Sequence, residues 1–129
     1  MQGGKHVILC IDDDPDTLVS LRVVLESAGY LVVTASTAAE VLEAYETARP
    51  DALIVDLMME QIDTGMKVAR DLQALGNTAP LYFLSSTGDY LQGAMDVSEL
   101  GASGVFQKPL DPHVLLSLLQ RKLGTPRGR

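Results

Sequence analysis

Tryptophan is missing from this sequence, and two Phe and four Tyr bring the aromatic content to only 5%. The core must therefore be aliphatic, and an apolar content of 47% is enough to bury a sheet between helical layers. Cysteine is nearly absent as well. Cys10 is alone, so no disulfide can form within the chain, which suits a reducing compartment. It lies inside an apolar strand pattern and reads as core. No apolar run approaches the ~20 residues of a membrane span, and Met1-Gln2-Gly3-Gly4-Lys5 leads into a strand without the apolar segment of a signal peptide. Positive charge is scarce: 10 Lys and Arg stand against 17 Asp and Glu, and the net charge of −7 argues against a nucleic-acid-binding domain. The basic tail Arg127-Gly128-Arg129 is too short to change that. These absences predict a soluble, cytoplasmic protein with neither membrane nor nucleic acid as a partner. Repeats, linkers and low-complexity segments are absent too. Residues 1–129 are expected to form one domain, with a core over about 5–123, short flexible tails and no room for an output domain.

What is present is a regular alternation. The stretch DALIVDLMM, from Asp51 to Met59, holds the apolar run Ala52-Leu53-Ile54-Val55, a strand covered on both faces that ends in Asp56. His6–Ile11 is a similar strand that ends in Asp12-Asp13-Asp14-Pro15, with Asp14 a good N-cap and Pro15 a good first helical residue. Leu18, Leu21, Leu25 and Ala28 give the following helix its apolar face, and Gly29 stops it. Tyr30–Ala35 is a second strand. Thr37-Ala38-Ala39-Glu40 fits a capping box for a helix that closes before Pro50. A third helix is expected over Met66–Leu75, a fourth strand over Pro80–Leu84, a weaker fourth helix over about Asp89–Leu100, and a short fifth strand over Gly104–Phe106. Asp111-Pro112 opens the last helix. Five βα units imply a flavodoxin-like α/β fold, (βα)5, with a doubly wound parallel sheet in the order 2-1-3-4-5.

In that order the first and third strands are central neighbours, so Asp12, Asp13 and Asp56 would crowd together where ligands bind in open parallel sheets. Such carboxylates repel unless a hard cation joins them, and Mg²⁺ takes oxygen ligands of this kind. Ser85, after the fourth strand, and Lys108, after the fifth, could meet the oxygens of a phosphoryl group. Metal, cation, positioned donor and carboxylate nucleophile are the parts needed for phosphoryl transfer. Taken singly, each has a plainer role: N-capping acids, a Ser-Ser-Thr-Gly turn, a solvated Lys-Pro. Occurring together at the matching ends of four strands, they favour function.

At these motifs, ILCIDDDP, PDALIVDLMM, PLYFLSS and GASGVFQKP, the chain resembles the receiver domains of response regulators in two-component signalling, CheY-like, over its whole length. The resemblance implies that Asp56 is the phosphoacceptor, supplied by a sensor histidine kinase or a histidine phosphotransfer protein. It implies Mg²⁺ held by Asp12, Asp13, Asp56 and the backbone carbonyl of Met58, with Ser85 and Lys108 on the phosphoryl oxygens and a cis Lys108–Pro109 peptide. Such a domain promotes its own phosphorylation and dephosphorylation rather than turning over an external substrate. It also implies a downstream protein target on the face of the fourth helix, fifth strand and fifth helix, and it leaves a homodimer open. Along the fourth helix Tyr90, Ala94, Val97 and Gly101 fall on one side, with Leu91 and Met95 beside them.

The chain departs from the family pattern at several positions. Glu60 stands where a proline is usual, Thr64 is inserted between Asp63 and Gly65, and Ser86 replaces a small apolar residue. Val105 occupies the position of an aromatic switch, with Phe106 next to it. Other readings remain open at this point. They are a phosphorelay carrier without direct output, a Mg²⁺-dependent phosphohydrolase, a flavin or nucleotide binder, and a phosphorylation-independent interaction module. The phosphohydrolase would need an acid where Met58 stands. A nucleotide binder would need a phosphate-cradling first loop, here Asp12-Asp13-Asp14.

Overall fold

The computed structural model describes residues 4–57, 64–85, 102–108 and 110–124. Over these the elements are β1 (Val7–Ile11), α1 (Pro15–Ser27), β2 (Leu31–Ala35), α2 (Ala38–Ala48), β3 (Ala52–Asp56), α3 (Thr64–Ala74), β4 (Leu81–Ser85), β5 (Ala102–Gln107) and α4 (Pro112–Leu123). The five strands form one parallel sheet in the order β2-β1-β3-β4-β5, as the sequence predicts. The fourth expected helix, over 89–100, lies outside the described residues, as do Met58, Glu60, Ser86 and Pro109.

Side chains alternate across the sheet with a period of two, and both sets are apolar. Leu9, Ile11, Leu53, Val55, Leu81 and Phe83 pack against Val41 of α2 and Val68, Ala69 and Leu72 of α3. Ile8, Cys10, Ala52, Ile54, Tyr82 and Leu84 pack against Leu21 and Leu25 of α1 and Leu115 and Leu119 of α4. β1, β3 and β4 are buried along their whole length. Cys10 sits in this dry layer, and burial pushes its thiol up to about 12, so it is an inert core side chain.

The caps follow the sequence closely. The Asp14 side chain accepts from Asp16 N–H with Pro15 beginning α1, and Asp111 accepts from His113 N–H with Pro112 beginning α4. Gly29 follows α1 at φ 96°, a left-handed conformation that glycine adopts without a Cβ penalty. Thr37 caps α2 by accepting from Glu40 N–H at 3.2 Å. Glu40 reaches back to Ser36, whose N–H donates at 2.8 Å, one residue before the position a standard capping box would use.

Several boundaries differ from expectation, most by a single residue. α3 begins at Thr64, so the inserted residue extends the helix upstream of Met66. β5 runs from Ala102 to Gln107, longer than Gly104–Phe106, because Ala102 pairs with Leu81 of β4 and Ser103 is carried along as the extra residue at the register shift before Gly104. β4 is shifted by one residue, to Leu81–Ser85. Val105 is partly buried on the α2–α3 side of the sheet, whereas Phe106 points to the other side, its ring centroid 5.4 Å from that of Tyr82. The aromatic beside Val105 is thus committed to the opposite layer.

Because Leu53 is fully buried at the centre of one layer, Leu53→Ala should destabilise the fold by about 2–5 kcal/mol through lost burial and residual cavity. Urea denaturation monitored by circular dichroism checks this, with an unchanged m-value expected.

Candidate functional site

The acidic residues lie at the carboxyl ends of adjacent strands. Asp12 follows β1 and is 0% exposed, Asp56 ends β3 at 3%, and Asp13 is open to solvent. One carboxylate oxygen from each lies within 4.8 Å of the others. Backbone bonds beyond the strand ends fix this spacing. Asp12 N–H donates to Ala35 C=O at 3.1 Å, Leu57 N–H to Leu84 C=O at 2.9 Å, and Lys108 N–H to Ser85 C=O at 2.8 Å. Ser85 is 0% exposed at the end of β4.

Burying Asp12 as an anion is costly unless its oxygens are satisfied. Its Oδ1 accepts from Asp14 N–H at 2.9 Å, which also positions the start of α1. Its Oδ2 accepts from Lys108 Nζ at 3.2 Å, and the same ammonium lies 3.6 Å from Asp56 Oδ1. Partial burial of Lys108 works to lower its pKa. The negative charges of Asp12 and Asp56 and the hydrogen bonds to them outweigh that, and the net shift is upward. Lys108 is therefore a fixed cation across the physiological range.

One ammonium among three carboxylates leaves excess negative charge. Two like unit charges at such separations repel by roughly 3 kcal/mol at an effective dielectric of 20. The donor set is all oxygen, without Cys or His, and the exposed Asp13 gives water access. That chemistry fits a hard, partly hydrated divalent cation such as Mg²⁺. An acidic triad of this kind is typical of the Mg²⁺ site of receiver domains. The structure brings together Asp12, Asp13, Asp56 and Lys108 and puts Ser85 at the adjacent strand end. Met58, the remaining predicted ligand, falls outside the described residues.

The structure adds two features to the sequence reading. The Lys108 ammonium, expected to meet phosphoryl oxygens, here bridges Asp12 and Asp56. His6 immediately precedes β1. Its Nδ1 is buried 3.8 Å from Asp51, at the end of the sheet remote from the acidic cluster. Asp51 there accepts from Val7 N–H at 2.7 Å.

A family model described as "Response regulator receiver domain" matches residues 8–120. The transcriptional regulatory protein PrrA of Mycobacterium tuberculosis is 37% identical over 125 residues, which cover 95% of this chain and 50% of that protein. The alkaline phosphatase synthesis transcriptional regulatory protein PhoP of Bacillus subtilis is 32% identical over 105 residues, 81% of this chain and 43% of that one. The chain thus spans about half the length of the curated relatives it matches. Among solved structures, the chemotaxis protein CheY4 of Vibrio cholerae superposes with a TM-score of 0.79 at 29% identity, covering 92% of this chain and 98% of that one.

The raised Lys108 pKa has a signed consequence. The ion pairs contribute stability that is fully present below the unfolded value of 10.5 and is lost as pH rises through the higher folded value. Denaturation midpoints of wild type and Lys108→Met should therefore converge as pH is raised through and beyond 10.5. A constant gap across that range would show that the ammonium charge contributes nothing.

Proposed function

This chain belongs to the response regulator receiver domain family, and from that premise we propose that it is a phosphorylation-controlled switch with Asp56 as its phosphoacceptor. The observation that carries the reading is the convergence of the buried Asp56 carboxylate with Asp12, Asp13 and Lys108 at the ends of three strands. The phosphoryl donor is a sensor histidine kinase or a histidine phosphotransfer protein.

In the transfer, a carboxylate oxygen of Asp56 forms the new O–P bond. The P–N bond of the donor phosphohistidine breaks, and the departing imidazole keeps the electron pair. Lys108 meets the negative charge that builds on the transferring oxygens, and the Ser85 hydroxyl donates to one of them. Asp12, Asp13, Asp56 and the carbonyl of Met58 would hold Mg²⁺, which would supply neutralisation of the charge on the phosphoryl oxygens. The same groups serve hydrolysis of the acyl phosphate, so the domain promotes its own phosphorylation and dephosphorylation.

Signalling then proceeds by contact with another protein on the face of β5, α4 and the segment 89–100. Two features support this. The Lys108 N–H to Ser85 C=O bond ties the end of β5 to the end of β4, so a displacement at Ser85 is carried into β5. β5 is also an edge strand, and its ladder with β4 shifts register between Leu81 and Tyr82. Val105 has no ring to rotate and its branched χ1 is stiff, which puts the transmission on Ser85 and the backbone.

Acetyl phosphate with Mg²⁺ should add one phosphoryl group to the intact chain by mass spectrometry. Asp56→Asn should take up none, and EDTA should block uptake by the wild type. Undiminished labelling of Asp56→Asn would end the assignment.

A further inference from the structure

The two edges of the sheet are unequal. β5 carries a register shift against β4, a common way of blunting an edge. β2 has no such guard. Its sequence LVVTA contains no charge and no proline, and it pairs with β1 in unbroken register from Leu31 to Ala35. In a parallel ladder, alternate residues turn both backbone groups toward the neighbouring strand. Leu31 N–H donates to His6 C=O and Ala35 C=O accepts from Asp12 N–H, so Leu31, Val33 and Ala35 face β1. Val32 and Thr34 therefore turn their N–H and C=O to the open side.

That open edge is the floor of a groove of about 790 Å³. Leu18 of α1 forms one wall, and Glu40, Glu43 and Ala44 of α2 form the other. Among the described residues, no Lys, Arg or His lines it. The carboxylate of Glu40 is fixed by the Ser36 N–H at 2.8 Å and the Ser36 hydroxyl at 3.1 Å. These bonds hold it below the usual carboxylate range, so it is charged at physiological pH. One wall is thus apolar and the other is acidic, on opposite sides of an unpaired strand edge.

We infer that this groove binds an extended, Lys- or Arg-bearing segment of a partner protein as a sixth strand beside β2. An added strand alternates its side chains between the two faces of the sheet. Apolar residues meet Leu18 on one face, and basic residues meet Glu40 and Glu43 on the other, while its backbone bonds to Val32 and Thr34. A second copy of this chain is a poor occupant, since its own Glu40 and Glu43 would oppose the first pair across an interface between two molecules of net charge −7.

The test is amide NMR of the full chain titrated with a capped peptide of alternating Lys and Val, and with its counterpart of alternating Glu and Val. The Lys peptide should shift amides over Leu31–Ala35 and slow exchange of the Thr34 N–H. The Glu peptide should bind at least tenfold more weakly. Thr34→Pro removes an outward donor that the β1 ladder does not use, and it should weaken the Lys peptide at least tenfold. Glu43→Lys should reverse the preference between the two peptides, and this arm decides alone if Thr34→Pro fails to fold. Equal binding of both peptides, shifts confined to the Asp12–Asp56 cluster, unaltered binding by folded Thr34→Pro, or an unreversed preference in Glu43→Lys would each overturn the inference.

Discussion

One ammonium stands between two buried carboxylates, and the rest of the site depends on it. Asp12 is fully buried, and an anion there needs a compensating charge. Lys108, 96 residues away in sequence, supplies it while also reaching Asp56. The two acids cannot come close without the cation, and the cation cannot be delivered unless β5 is in place beside β4. The chemistry at the top of the sheet is therefore a property of the whole strand order. The excess negative charge that remains makes the cluster receptive to a divalent cation and to the phosphoryl chemistry of its family.

The sheet converts this electrostatic requirement into fixed geometry. β1, β3 and β4 are buried on both faces, so their ends cannot shift without disturbing packed side chains in two layers. Bonds from Asp12, Leu57 and Lys108 to carbonyls of adjacent strands or their ends carry that rigidity past the last strand residues. The opposite end of the sheet shows the contrast. Asp51 accepts a backbone N–H from Val7 and has His6 at 3.8 Å. A single acid there serves to pin the starts of two strands together.

Most of the fold could be read because the sequence is locally consistent with it. Apolar runs at strand spacing, Asp-Pro starts at α1 and α4, and Gly29 and Gly76 after helices all agree with the parallel sheet. The site was legible for the same reason: strand order alone brings Asp12, Asp13 and Asp56 together. What escaped reading depends on tertiary context. Ala102 has weak strand propensity and is extended because Leu81 of β4 offers it a partner, and Ser103 follows as the extra residue of the register shift. Arg49 takes a left-handed conformation at φ 50° to end α2 ahead of Pro50, at a position where no glycine marks the turn. The contact of Lys108 with Asp12 could not be inferred from spacing, since nothing local relates the two residues. The facing of Phe106 away from Val105 could have been read, because it follows directly from the two-residue period of a strand.

The most direct test of the account asks which of the three clustered acids carries the phosphoryl group. Borohydride reduction of the phosphorylated chain converts a phosphoaspartate to homoserine, and peptide mass spectrometry then locates it. Homoserine is expected at position 56 alone, because both carboxylate oxygens of Asp12 are already engaged by the Asp14 N–H and the Lys108 ammonium, and Asp13 stands outside the buried pair, open to solvent. Homoserine at Asp12 or Asp13 would contradict it.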